Sequence, residues 1–170
     1  MKKVLAMMMC LFLLSACGFS GDSHTEPMVT EGDLTTAVTE PDTGETTQKL
    51  VSFHAYRGNE NADGLLSREV LVPEITPDIV LRALMEDGVV PADVSVLTLT
   101  RKEEQLLIDF NNAFFLHLCS MGTAGETMIM NSVVNTFLSA YNATSVIITV
   151  EGQTLETGHV IYDFPLTYQE

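Results

Sequence analysis

Tryptophan is absent from this 170-residue chain, and only 7% of its residues are aromatic. That leaves little material for a platform on which sugars or bases could stack. Cations are nearly as scarce: 8 Lys and Arg stand against 23 Asp and Glu, a formal charge of −15. So acidic a chain repels phosphate backbones, which argues against nucleic acid as a partner. It also disfavours lying flat on anionic lipid. Cysteine is limited to Cys10, Cys17 and Cys119. Neither a Gly-Xaa-Ser-Xaa-Gly elbow nor a phosphate-cradling Gly loop occurs, so two common catalytic frameworks have no sequence support.

What the chain does have is a distinctive start. Lys2 and Lys3 precede an apolar run from Val4 to Leu14. This is the charged and hydrophobic pattern of a secretory signal, too short for a permanent span. Leu14-Ser15-Ala16-Cys17 resembles the lipobox of bacterial lipoproteins. The resemblance implies removal of residues 1–16 and diacylation of Cys17, with palmitate-type chains as the membrane anchor. The alternative is an ordinary signal peptide with an incidental cysteine. Two or three acyl chains supply the multiple anchorage that stable attachment requires. Loss of Lys2 and Lys3 would lower the cation count from 8 to 6 and take the mature charge to −17. Cys119 would then have no partner for an intrachain disulfide. Set among Phe114, Phe115, Leu116 and Leu118, it is expected to be a buried, inert thiol.

Residues 18–48 carry seven acidic side chains, no Lys or Arg, and many Thr, Gly and Pro. Their few apolar residues lack any period, so they cannot bury enough surface to offset ordering entropy. Residues 17–48 are therefore expected to be a lipidated cysteine followed by a disordered, self-repelling tether.

From residue 49 the pattern changes. Leu50 to Tyr56 alternates as a strand, a polar turn follows, and Ser67 to Val72 reads as a second strand. Thr76-Pro77-Asp78 opens a helix with an N-cap, a proline at the first position and an acid in the first turn, and Gly88 stops it. Val94 to Arg101 and Gln105 to Phe110 predict a hairpin with Glu103 and Glu104 at its tip. Asn112 is expected to cap a short helix ending with Cys119. Thr123 to Glu126 fits a capping box, with Glu126 as the reciprocal partner, before a long helix closed by Asn142. Ser145 to Glu151 is a β-branched strand, and Thr154 to Thr157 returns from a Gly turn. The tail from 159 to 170 is expected to pack on the domain. The order is β-β-α-β-β-α-α-β-β: a single small α+β domain with a mostly antiparallel sheet and helices on one face.

These segments resemble the GerM (GerMN) domain. Val94 to Asn112, with its Leu-Leu-Ile-Asp-Phe strand, is similar to its middle, Met130 to Leu138 to its long helix, and Val146 to Gln153 to its closing strand and turn. The resemblance covers roughly residues 50–158. It implies a link to sporulation or spore germination, an envelope location and protein–protein assembly. It implies no catalytic residues. Only one such domain fits here, whereas some members carry two.

Candidate chemistry is sparse. His117 and Cys119 lie two apart on a predicted helix and point apart, a poor chelate, so no metal or other cofactor is expected. Asn131, Asn135 and Ser139 recur at four-residue spacing along the long helix. The plainer reading is a solvent face; the functional one is a recognition edge for a partner. Together these features predict a lipid-anchored, non-enzymatic interaction or scaffold module on the outer face of the cell membrane, held through Cys17 and bound to an envelope protein. A small ligand- or cation-binding lipoprotein is the alternative. A wall hydrolase has only location in its favour.

Overall fold

The computed structural model describes residues 49–169; the signal segment, Cys17 and the tether lie outside the described residues. Strands β1 (Val51–Gly58) and β2 (Leu65–Val72) form an antiparallel hairpin of their own. Helix α1 (Pro77–Glu86) follows. Strands β3 (Val96–Lys102) and β4 (Gln105–Phe110) start a second, larger sheet. Helices α2 (Asn112–Cys119) and α3 (Thr123–Tyr141) then cross to β5 (Ser145–Val150). The chain ends with β6 (Gln153–Glu156), β7 (Ile161–Tyr162) and β8 (Leu166–Thr167).

The α+β class and the predicted element order hold, with two further strands from the tail. Two features of the sheet differ from expectation. The β1–β2 hairpin is separate from the main sheet rather than part of it. And β4 pairs with β5 in parallel, from Gln105–Ser145 to Phe110–Val150. The physical reason is the connection: α2 and α3 provide the long crossover that a parallel pair needs. Every other strand pair is antiparallel. The far edge of β5 is divided, with β8 on Ser145–Val146 and β6 on Thr149–Val150. Glu151 and Gly152 both take positive φ, the conformation that suits a two-residue hairpin between β5 and β6.

The parallel register places Leu106, Ile108 and Phe110 beside Val146, Ile148 and Val150, all buried on one face. The helices cover that face. Phe114 stacks on Phe110 at 4.4 Å, and Phe137 meets it edge-on at 6.0 Å. The opposite face, with Leu107, Asp109, Ile147 and Thr149, is only partly covered.

Helix α1 forms as its sequence dictates. Thr76 accepts the Ile79 N–H, Pro77 occupies the first turn, and Gly88 takes a φ of 71° just past the end. The buried stripe is Val80, Leu81, Ala83 and Leu84. Arg68 of β2 clamps the hairpin to this helix, reaching Asp87 at 2.8 Å and Glu86 at 3.2 Å. The bond to Asp87 is the main reason its guanidinium is held above its ordinary pKa, against the opposing effect of burial. A cation also complements the carbonyl-rich end of α1.

The starts of α2 and α3 depart from the predicted caps. The N-cap of α2 is Asn111, not Asn112, and its side chain bonds instead to Ser95 N–H and Asp93 C=O. The N-cap of α3 is Gly122, without a side-chain cap. Glu126 makes no capping box; it is buried elsewhere, as described below. Asn142 ends α3 in the left-handed region, with φ 47°.

Candidate interaction surface

Helix α3 organises the polar chemistry of the domain because it is buried nearly all round. Ile129, Met130, Val133, Val134, Phe137 and Leu138 are buried, but so are Glu126, Ser132, Asn135 and Thr136. A polar residue on such a helix must find an internal partner or cost free energy.

Two hydroxyls meet β1 edge-on. Thr136 Oγ1 accepts the Tyr56 N–H and Ser139 Oγ accepts the His54 N–H, each at 2.9 Å. The helix thus satisfies backbone donors that a neighbouring strand would otherwise take. The approach is close: a Cβ on Gly58 would stand 3.3 Å from the Met128 Cβ.

The predicted polar edge of α3 does not exist as one surface. Each four-residue step turns the direction by about 40°. Ser139 therefore faces β1, while Asn135 faces the tail. Asn135 is fully buried, at 0% exposure, and bonds twice to the Gln169 backbone. This corrects the solvent-face and recognition-edge readings for Asn135: its amide holds the tail at Gln169. Of the three, Asn131 is half-buried and lines a groove.

Glu126, 1% exposed, sits at the start of α3 beneath the β6–β7 turn. Its Oε1 accepts from Thr157 Oγ1 at 2.7 Å and from Tyr162 OH at 2.8 Å. Oε2 has no hydrogen-bond partner among the described residues. Burial first, then the bond to Glu126, holds the Tyr162 phenol well above its ordinary pKa. Thr157 also receives the His159 and Val160 N–H groups, so this one carboxyl organises the whole turn.

The groove lies between α3 and the tail, with a volume of about 270 Å³. Met130, Asn131 and Val134 form one wall, and Tyr162, Phe164 and Leu166 the other. Among the described residues, no charged side chain lines it. The tail was expected to pack on the domain, and Phe164 and Leu166 are where it meets α3. The sequence signal is the recurrence of Tyr162, Phe164 and Leu166 at every second residue, which in extended chain puts them on one face.

Cys119 is exposed, contrary to the expected buried thiol. Phe114 and Leu118 carry the buried face of α2, and Leu116 and Cys119 point outward. Apolar neighbours in sequence were therefore not neighbours in packing. His117 Nε2 lies 3.0 Å from the Val89 carbonyl, and His54 and His159 are exposed. No three metal-ligating side chains converge among the described residues. No helix among them is long and apolar enough to cross a membrane.

A family model described as Germane, sporulation and spore germination, matches residues 55–156. The chain belongs to this family. The Germane match runs from the middle of β1 to the end of β6, so β2, α3 and the Glu126 carboxyl fall inside it. Among solved structures, the first GerMN domain of the sporulation protein GerM from Bacillus subtilis is 18% identical, with a TM-score of 0.52. That match covers 69% of this chain and 97% of the other, and shows a shared fold. The tandem GerMN domains of the same protein match at 18% identity and a TM-score of 0.46, over 71% of this chain and 45% of theirs. A candidate lipoprotein from Clostridium perfringens matches at 16% identity and a TM-score of 0.47, over 69% of this chain and 87% of its own. No curated protein matches the sequence.

Proposed function

We propose that this Germane domain is a lipid-anchored, extracytoplasmic, non-catalytic interaction module serving sporulation or germination. The observation that carries the reading is the fate of its polar groups. Glu126, Asn135, Thr136 and Ser139 are all engaged by the chain's own backbone and side chains. They brace a surface; they do not converge on a cleft where a substrate would react. The Leu14–Cys17 sequence supports attachment through lipid, and the family supports the developmental setting.

The test is crosslinking in sporulating cells, using the full-length protein followed by mass spectrometry of membranes. Discrete adducts with envelope proteins are the expected result. Adducts no more abundant than those of an unrelated lipoprotein would sink the reading.

A further inference from the structure

We infer that the groove between α3 and the tail docks a basic segment of an envelope partner, taking one of its apolar side chains between flanking Lys or Arg residues. The inference rests on the interaction reading above and names the chemistry of the partner.

Two observations carry it. The first is apolar surface left in water at the groove. Phe164 is 48% exposed and Val160 37%, beside Met130, Val134 and Tyr162. Exposed apolar groups gathered at a concavity mark a binding site more often than the same groups scattered. The amides of Asn131 and Gln169 at its margin offer donors and acceptors to a partner's backbone.

The second is the charge around it. From Glu103 to Glu170 the chain has no Lys or Arg but eight acidic residues. The tail and both helices that follow β4 belong to this stretch. Asp163 stands between the groove residues Tyr162 and Phe164, and Glu156 pairs with Ile161 across β6–β7. Two cations of the described residues near α3 lie away from the groove. Arg101 binds the carbonyls of Tyr141 and Asn142 at its far end. Arg57 lies on the flank of Met128, Ile129 and Ser132. An uncharged slot within an acidic field favours an apolar group carried by a basic segment, and it steers such a segment inward. The same field opposes insertion of Phe164 into anionic lipid. It also opposes a second copy docking through the same surface.

The experiment uses the lipidated mature protein in nanodiscs of uncharged phosphatidylcholine. Three fluorescent peptides are compared by anisotropy: Leu-Phe between Lys pairs, the same core between Glu pairs, and Ser-Ser between Lys pairs. Only the first should bind saturably. Phe164→Ser, which alters an exposed side chain, should weaken it about tenfold, and Asp163→Lys by a similar factor. Melting curves of both variants should match the parent. The proposal is overturned if no peptide binds, if the Glu-flanked peptide binds equally, or if Phe164→Ser leaves affinity unchanged. It is also overturned if Phe164 instead drives self-association or binding to anionic vesicles. Repeating the cellular crosslinking with Phe164→Ser separates the two claims. Adducts that persist in that variant keep the interaction module and remove the groove; adducts missing from the parent remove the module itself.

Discussion

Asn135 and Gln169 are joined reciprocally. The Asn135 amide donates to the Gln169 carbonyl at 2.7 Å, and the Gln169 N–H donates back to Asn135 Oδ1 at 2.9 Å. A helix residue thirty-four positions upstream thus fixes the backbone at Gln169. Beside it, Tyr168 meets Tyr56 edge-to-face at 5.5 Å, and Thr167 pairs with Ser145. The last residues therefore tie α3, β1 and β5 together, and they build one wall of the groove.

The first prediction follows directly. Asn135→Ala should cost about 1–2 kcal/mol, since it strips partners from part-buried backbone groups. A solvent-face substitution would fall within about 0.5 kcal/mol. Removing residues 165–170 should cost stability too, and the two changes should not add, because they share one interaction. Thermal melts of both variants and their combination check this. Full additivity would mean that the amide and the tail act independently.

Second, Thr136→Val should destabilise although it preserves shape. The hydroxyl accepts the Tyr56 N–H at 2.9 Å and donates to the Ser132 carbonyl at 2.7 Å. Its loss leaves a part-buried donor unpaired, a cost of about 1–3 kcal/mol. Amide hydrogen exchange gives the local readout: the Tyr56 amide should lose protection more than the amides of β4. Uniform loss across both strands would point to general destabilisation and not to a lost edge contact.

The reason these residues were not legible in sequence lies in α3. Its apolar positions, Met130, Val133, Val134, Phe137 and Leu138, were readable because they recur at helical spacing. The polar positions between them read as solvent-facing, which is true of a helix packed on one side. This helix has the β1–β2 hairpin along one flank, the main sheet beneath and the tail along another. Polar side chains in the gaps are therefore buried and bonded. Glu126 was misread for the same reason: three residues after Thr123 it fits a capping box, yet the β6–β7 turn supplies stronger partners. By contrast α1, packed on one face, matched its sequence signals down to the Thr76 cap. The separate hairpin and the parallel β4–β5 pair depend on contacts distant in sequence, which local pattern cannot encode.

Third, the exposed Cys119 should react readily with a disulfide reagent in the native state. Its reaction should proceed at a rate close to that in denaturant, since burial does not shield it. Cys119→Ser should leave the melting temperature nearly unchanged. A thiol that reacts only after unfolding would restore the buried reading.

Fourth, Cys17→Ser should release the protein from membranes. The lipobox-like sequence ends at this residue, and the preceding apolar run is too short to serve as a span. Cell fractionation after a high-salt wash is the measurement. Retention of the variant would show that another feature holds the protein there.

Fifth, the domain should lose stability in alkali through Tyr162. Burial, followed by the hydrogen bond to Glu126 and its charge, raises the native phenol above its ordinary value of 10.0. The native state keeps this proton at a pH where the unfolded chain has released it. The contribution is therefore complete below about pH 10 and is lost as pH climbs from there toward the raised native value. The slope approaches about 1.4 kcal/mol per pH unit for one proton. Tyr141 adds a smaller effect of the same sign, raised by burial and then by Asp78. Tyr162→Phe should therefore behave in two opposed ways. Near neutral pH it should be less stable than the parent, because Glu126 Oε1 keeps only the Thr157 donor. Above pH 10 its stability should fall less steeply, so the two curves should converge. Urea unfolding at a series of pH values gives both curves. Parallel curves would show that Tyr162 does not retain its proton in the fold, and the Glu126–Tyr162 bond would lose its role as the alkaline weak point of the β6–β7 turn.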